Sequence, residues 1–125
     1  MITLTIIEAI QTIDTLKPNT YTEIDKIRWL SKLDGVIKTE IVDTHEGTGA
    51  DFSGYDENTP LDTPLIVKAP YEDVYISWLE SRIDYANGET AKYNNSAAVF
   101  NSAYADFQNF YNRSHMPKSG SFRFF

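Results

Sequence analysis

Residues 90–112 read TAKYNNSAAVFNSAYADFQNFYN, with large apolar residues recurring at a helical period. Tyr93, Ala97, Phe100, Tyr104, Phe107 and Tyr111 follow one another at intervals of 4, 3, 4, 3 and 4 residues. Such intervals keep a row of side chains on one side of an α-helix. The stretch before it, residues 71–88, is YEDVYISWLESRIDYANG, in which Tyr71, Val74, Tyr75, Trp78, Leu79, Ile83 and Ala86 cover a wide apolar surface. Asn87-Gly88 ends that first helix, because glycine enters the left-handed conformation found just past a helix without steric cost. Two successive helices with facing apolar sides pack as an antiparallel hairpin, and small Ala97 and Ala103 beside the rings allow close approach. Trp78, Tyr93, Phe100, Tyr104, Phe107 and Tyr111 are therefore candidate core residues, with a subunit interface as the alternative. A fully buried aromatic contributes roughly 1.5–3 kcal/mol, so the row is expected to dominate the core before ordering costs are subtracted.

Working toward the N-terminus, Pro70 is expected in the first turn of the earlier helix, where a missing amide is harmless, and Leu65-Ile66-Val67 reads as a short extended piece. Residues 43–64, DTHEGTGADFSGYDENTPLDTP, form a loop or arm longer than most connections in compact domains. Val36–Val42 suits a strand by its β-branched content, but Ile37 and Ile41 share one helical face and a short helix is preferred. Before it, Ile24, Ile27, Leu30 (or Trp29) and Leu33 supply a helical face, with Thr20 and Glu23 at capping-box spacing and Asp34-Gly35 as a stop. Lys17-Pro18-Asn19 breaks the chain ahead of that helix. Ile6, Ile10, Ile13 and Leu16 make the first helical stripe, and Thr5 with Glu8 forms another capping box. Alternation through Ile2, Leu4 and Ile6 is equally compatible with a strand; a helix over residues 5–16 is favoured. The fold expected is mainly α. It is a small helical bundle, residues 1–116, with the long central loop and an extended C-terminal docking tail, residues 117–125.

A chain of 125 residues with 42% hydrophobic content suffices for one domain with a core. Its net charge of −7 argues against a general nucleic-acid binder, which draws phosphate with excess Lys and Arg. Residues 36–70 hold two basic and seven acidic side chains, so most of the excess sits there. There is no cysteine, which removes disulfides, thiol chemistry and thiolate metal sites, and suits a reducing setting. The opening MITLTIIEAI has no basic flank and carries Glu8, with no small-residue cleavage signal after it, so it is not read as a signal peptide. No stretch approaches the ~20 apolar residues that span a bilayer.

Catalytic chemistry is not expected. Asp43, His45 and Glu46 are the nearest thing to a metal or acid–base cluster, but their spacing matches neither the zinc helix HExxH nor a calcium loop. His115, the other histidine, is remote in sequence. Gly47, Gly49 and Gly54 make no phosphate-binding fingerprint and read as turn residues. Asp56, Glu57 and Asp62 read as a solvated loop or, alternatively, an acidic face toward another subunit. Arg82 is expected in an exposed ion-pair network with Glu80 and Asp84. No cofactor is implied. Past Phe107 the chain carries Arg113, Lys118 and Arg123 and no acid, so an acidic body ends in a basic aromatic tail. Phe122, Phe124 and Phe125 suit apolar pockets while Arg123 pairs with an acidic surface; folding back on the chain's own core, or disorder, are the alternatives.

The succession IDKIRWLSKLDGVIKTEIVDTHEG, LIVKAPYEDVYISWLESRIDYANGE and YNNSAAVFNSAYADFQNFYNRSHMP resembles bacteriophage head–tail connector, or adaptor, proteins. The resemblance spans most of the chain and rests on the combination, since none of these pieces is a chemical signature. It implies a small helical structural protein that forms a ring with copies of itself beneath the portal protein. The ring would meet a downstream tail or stopper protein and let DNA pass without sequence-specific binding. Its place would be the virion head–tail junction, after assembly in the bacterial host cytoplasm, with no membrane involved. By that resemblance the helices at 71–87 and 90–112 build the protomer body, residues 43–64 contact a neighbour or face the channel, and Phe122–Phe125 reach the portal. The alternative is a non-viral scaffolding or regulatory module that works through protein interaction.

Overall fold

The first helix is set by the sequence around Thr5. In the computed structural model, which describes residues 3–41, 54–68 and 70–114, the element order is β1 (Thr3–Thr5), α1 (Ile6–Leu16), α2 (Glu23–Glu40), β2 (Pro64–Lys68), α3 (Asp73–Asn87) and α4 (Thr90–Ser114). Thr5 Oγ1 accepts from the Glu8 amide at 3.3 Å, and Glu8 Oε1 accepts from the Thr5 amide at 3.0 Å, closing the expected capping box. Both readings of this region hold, because Thr3–Thr5 is a strand that turns directly into the helix. It pairs antiparallel with β2, Thr3 opposite Lys68 and Thr5 opposite Pro64, which gives Leu65-Ile66-Val67 its extended form. The first free amides of α1 are satisfied across the chain: Ile6 donates to the Thr63 carbonyl at 3.1 Å and Ile7 to Leu61 at 2.9 Å.

The second helix departs from expectation at both ends. Its capping box is Thr22 with Asp25, not Thr20 with Glu23. The Asn19 side chain accepts from the Tyr21 amide at 3.1 Å and donates to the Lys17 carbonyl at 2.9 Å; this turn carries the break two residues further than Pro18 alone suggests. At the other end α2 runs through Asp34-Gly35 to Glu40, absorbing the short helix expected after it. A glycine inside a helix costs about 1 kcal/mol, less than the roughly 1.5–3 kcal/mol per side chain from burying the next apolar residues. Ile37 and Ile41 are both buried, and they continue the stripe of Ile27, Leu30 and Leu33.

Pro70 precedes α3 rather than lying in its first turn, since the helix begins at Asp73. Its end is as expected. Gly88 sits at φ +74°, and the Glu89 amide donates to the Asp84 carbonyl at 3.0 Å. Nothing lies within 4 Å of where a Cβ on Gly88 would stand, so the glycine serves conformation and not space. Ala86, expected on the apolar surface, is exposed.

The molecule is mainly helical, a small bundle with one two-stranded sheet among the described residues. Its core differs in emphasis from the expectation. Ile6, Ile10, Ile13, Ile27, Leu30, Leu33, Ile37, Leu65, Val67, Val74, Tyr75, Leu79 and Ile83 fill it, from α1, α2, β2 and α3. Of the α4 row only Phe107 is buried to the same degree, so branched aliphatics and not the aromatic row dominate. Helix α4 lies along α3 at the side of this core.

Candidate functional site

The α3–α4 hairpin gathers every aromatic of the row into one seam. Trp78 stands 5.0 Å from Phe100, centroid to centroid, and Phe100 5.8 Å from Tyr104. Farther along, Tyr71 stacks on Phe110 at 4.7 Å and touches Phe107 at 6.3 Å, with Tyr111 5.8 Å from Phe107. These are offset and tilted arrangements, which the ring quadrupole favours over face-to-face stacking. The indole nitrogen of Trp78 donates to the Trp29 carbonyl at 2.7 Å and ties the hairpin to α2. Tyr104 donates to Glu40 at 3.2 Å; burial and the adjacent carboxylate push its phenol up to about 12. The row's members are half-buried apart from Phe107, so each keeps part of its surface open.

Arg82 is not in the ion-pair network expected of it. Residues two apart on a helix point roughly 200° from each other, so Arg82 and Asp84 face different neighbours. Asp84 is buried, receives Lys17 at 2.6 Å and accepts from Ser96 Oγ at 2.8 Å, with Glu80 at 3.8 Å from the same lysine. That cluster locks the end of α1 to both helices of the hairpin. Arg82 instead lies among rings: its guanidinium carbon is 4.5 Å from the Trp78 centroid, 5.2 Å from Tyr85 and 5.7 Å from Tyr93. Its Nη2 reaches the Tyr93 hydroxyl at only 3.5 Å, and its buried Nε has no hydrogen-bond partner among the described residues. An unpaired buried donor costs about 1–3 kcal/mol, offset here by cation–π attraction.

A second polar cluster, unforeseen in the sequence, lies inside the molecule. Asp34, read as a helix stop, accepts from Tyr55 Oη at 2.5 Å, Tyr75 Oη at 2.7 Å and the Ile66 amide at 3.2 Å. Tyr75 Oη in turn accepts from the Val67 amide at 2.7 Å. Burial raises the Asp34 carboxyl above its ordinary range, against the opposing pull of these donors. Burial and the neighbouring Asp34 push both phenols well up. The cluster fastens residues 54–63 and β2 onto α2, helped by the Tyr55 amide donating to Ser31 Oγ at 3.0 Å. A sequence signal for it exists: the apolar spacing Leu30, Leu33, Ile37, Ile41 runs straight across Asp34, which places that acid inside a helix.

The other expected residues are dispersed or outside the described residues. Asp43, His45, Glu46, Gly47 and Gly49 lie outside them, as do His115 and the tail Phe122, Arg123, Phe124 and Phe125. Asp56, Glu57 and Asp62 are exposed. Among the described residues no three potential ligands come together as a metal site, and no helix is long and apolar enough to cross a membrane. Compared with protein-family models, curated proteins and solved structures, the chain matches none of them.

Proposed function

We propose that this chain is a structural head–tail connector, a non-enzymatic subunit that assembles with copies of itself as a ring on a phage portal protein. The ring would continue the DNA channel toward a tail or stopper protein, at the head–tail junction of a virion assembled in the host cytoplasm. The phage assignment rests on the resemblance of the three sequence stretches. The observation that supports an assembly role is the outer face of α4. Asn94, Asn95, Ala98, Val99, Asn101, Ser102, Ala105 and Asn109 are exposed along it, and Asp106 is the only charged side chain between Tyr93 and Asn112. A free-standing helix face normally carries charge, whereas a face that packs on protein is depleted of it. Small side chains on that face allow another helix to approach closely.

A ring built by repeated heterologous contacts needs a rigid block that offers two different surfaces, and the hairpin locked to α1 and α2 has that character. A net charge of −7 disfavours adhesion of DNA passing through. Native mass measurement of the chain with and without the portal protein tests the proposal. A ring or a portal complex is the expected result. A persistent monomer that leaves the portal unbound would sink it.

A further inference from the structure

We infer that Arg82 and its aromatic frame form an interface anchor that receives carboxylates from the acidic strap, residues 54–63, of a second copy of this chain. Trp78, Arg82 and Tyr85 follow at helical spacing on α3, and Tyr93 joins them from α4. Tyr85 keeps 65% of its surface exposed although it is large and apolar, and it packs on Tyr93 at 5.4 Å. Arg82 is half-buried among these rings, and no carboxylate pairs with it among the described residues. Its own helix cannot supply one, because Asp84 and Glu80 are turned to Lys17. The next cation along, Lys92, is already paired with Glu89 at 2.9 Å. A guanidinium among rings is weakly hydrated, and its planar set of donors, of which only Nη2 has a long contact to the Tyr93 hydroxyl here, suits a carboxylate at an interface. Arg, Tyr and Trp together are the residues that dominate interface energetics.

Charge complementarity selects the occupant. The chain is acidic, with a net charge of −7, and its strap shows Glu57 and Asp62 exposed with no side-chain partner among the described residues. The strap is tethered at both ends, by Tyr55 on Asp34 and by the Ile6 and Ile7 amides on the Thr63 and Leu61 carbonyls, so its exposed carboxylates stand on an anchored stretch of backbone. Arg82 and the strap are different surfaces, and a contact between them is heterologous, as a ring requires. The inference rests on the ring reading only in taking the neighbour to be a second copy.

Sedimentation velocity of the full chain over a concentration series, at low and moderate salt, tests it. Wild type is expected to self-associate, less strongly as salt rises. R82E is expected to weaken association at least about tenfold, the scale of an interface hot spot, with helix content unchanged by circular dichroism. Adding E57R and D62R to R82E is expected to restore it. If R82E loses helix content, R82Q takes its place, with the same weakening expected. Association unchanged in the Arg82 variant overturns the inference, as does a charge-swapped triple variant that stays weak. A wild type monomeric throughout overturns it too, and leaves the ring reading to the portal-binding measurement, which does not depend on Arg82.

Discussion

Asp34 shows how one residue joins three parts of the chain. Its carboxylate takes donors from residue 55 in the strap, residue 66 in β2 and residue 75 in α3. Replacing it with alanine strands the buried Tyr75 hydroxyl, the half-buried Tyr55 hydroxyl and an amide, and is expected to cost roughly 2–5 kcal/mol in urea unfolding. The pH dependence has a definite sign. A carboxyl whose folded value is raised above 3.8 favours folding fully below that value, and this contribution is lost as pH rises through the folded value. The stability of wild type relative to Asp34→Asn is therefore expected to fall as pH rises above 3.8, read from urea midpoints of both proteins. An opposite slope would contradict the buried placement of this acid. Arg82 belongs to the same scale. What decides its role is the direction of its side chain, which the acids beside it in sequence do not share.

At the scale of elements, the boundaries of α2 are the instructive case. Two threonines, Thr20 and Thr22, each stand three residues ahead of an acid, and local sequence ranks them equally as caps. The Asn19 side chain settles the matter by turning the chain through Tyr21, so that only Thr22 meets a helical amide. Thr22→Ala is expected to destabilise by about 1 kcal/mol while Thr20→Ala stays within a few tenths, measured by thermal or urea unfolding. Equal effects of the two substitutions would place the helix start elsewhere. The far end of α2 was obscured for a related reason. Asp34-Gly35 has the local composition of a stop, but helices continue where burial of the following turn outweighs the glycine penalty. Where no such burial competes, local rules suffice: Gly88 ends α3 in the left-handed conformation, and the Thr5–Glu8 box starts α1.

At the scale of the whole molecule, α1, α2, β2 and α3 close a core of branched aliphatics, and α4 leans on its side through a half-buried aromatic seam. Among the described residues, which end at Ser114, the fully buried core cluster runs from Ile6 to Phe107. Removing Phe122–Phe125 is expected to leave the melting temperature within about 2 °C of wild type and, under the proposed connector role, to abolish capture of the portal protein. Retained capture would reject the tail as the docking segment. Helix identity, the aromatic row, the hairpin and the short extended piece at Leu65–Val67 were all legible without coordinates, because periodicity and caps are properties of neighbouring residues. The pairing of β1 with β2, the burial of Asp34, the partner of Lys17 and the ring cage around Arg82 were not. Each joins residues far apart in sequence or turns on which way a side chain points, and such contacts exist only once packing has set the helices against one another. In the sequence by itself, local spacing and caps marked the helical segments and most positions on their apolar faces, but not the full length of α2 nor the exposure of Leu16 and Ala86. Tertiary structure alone decided which polar groups those faces trap and which they leave outward for a partner.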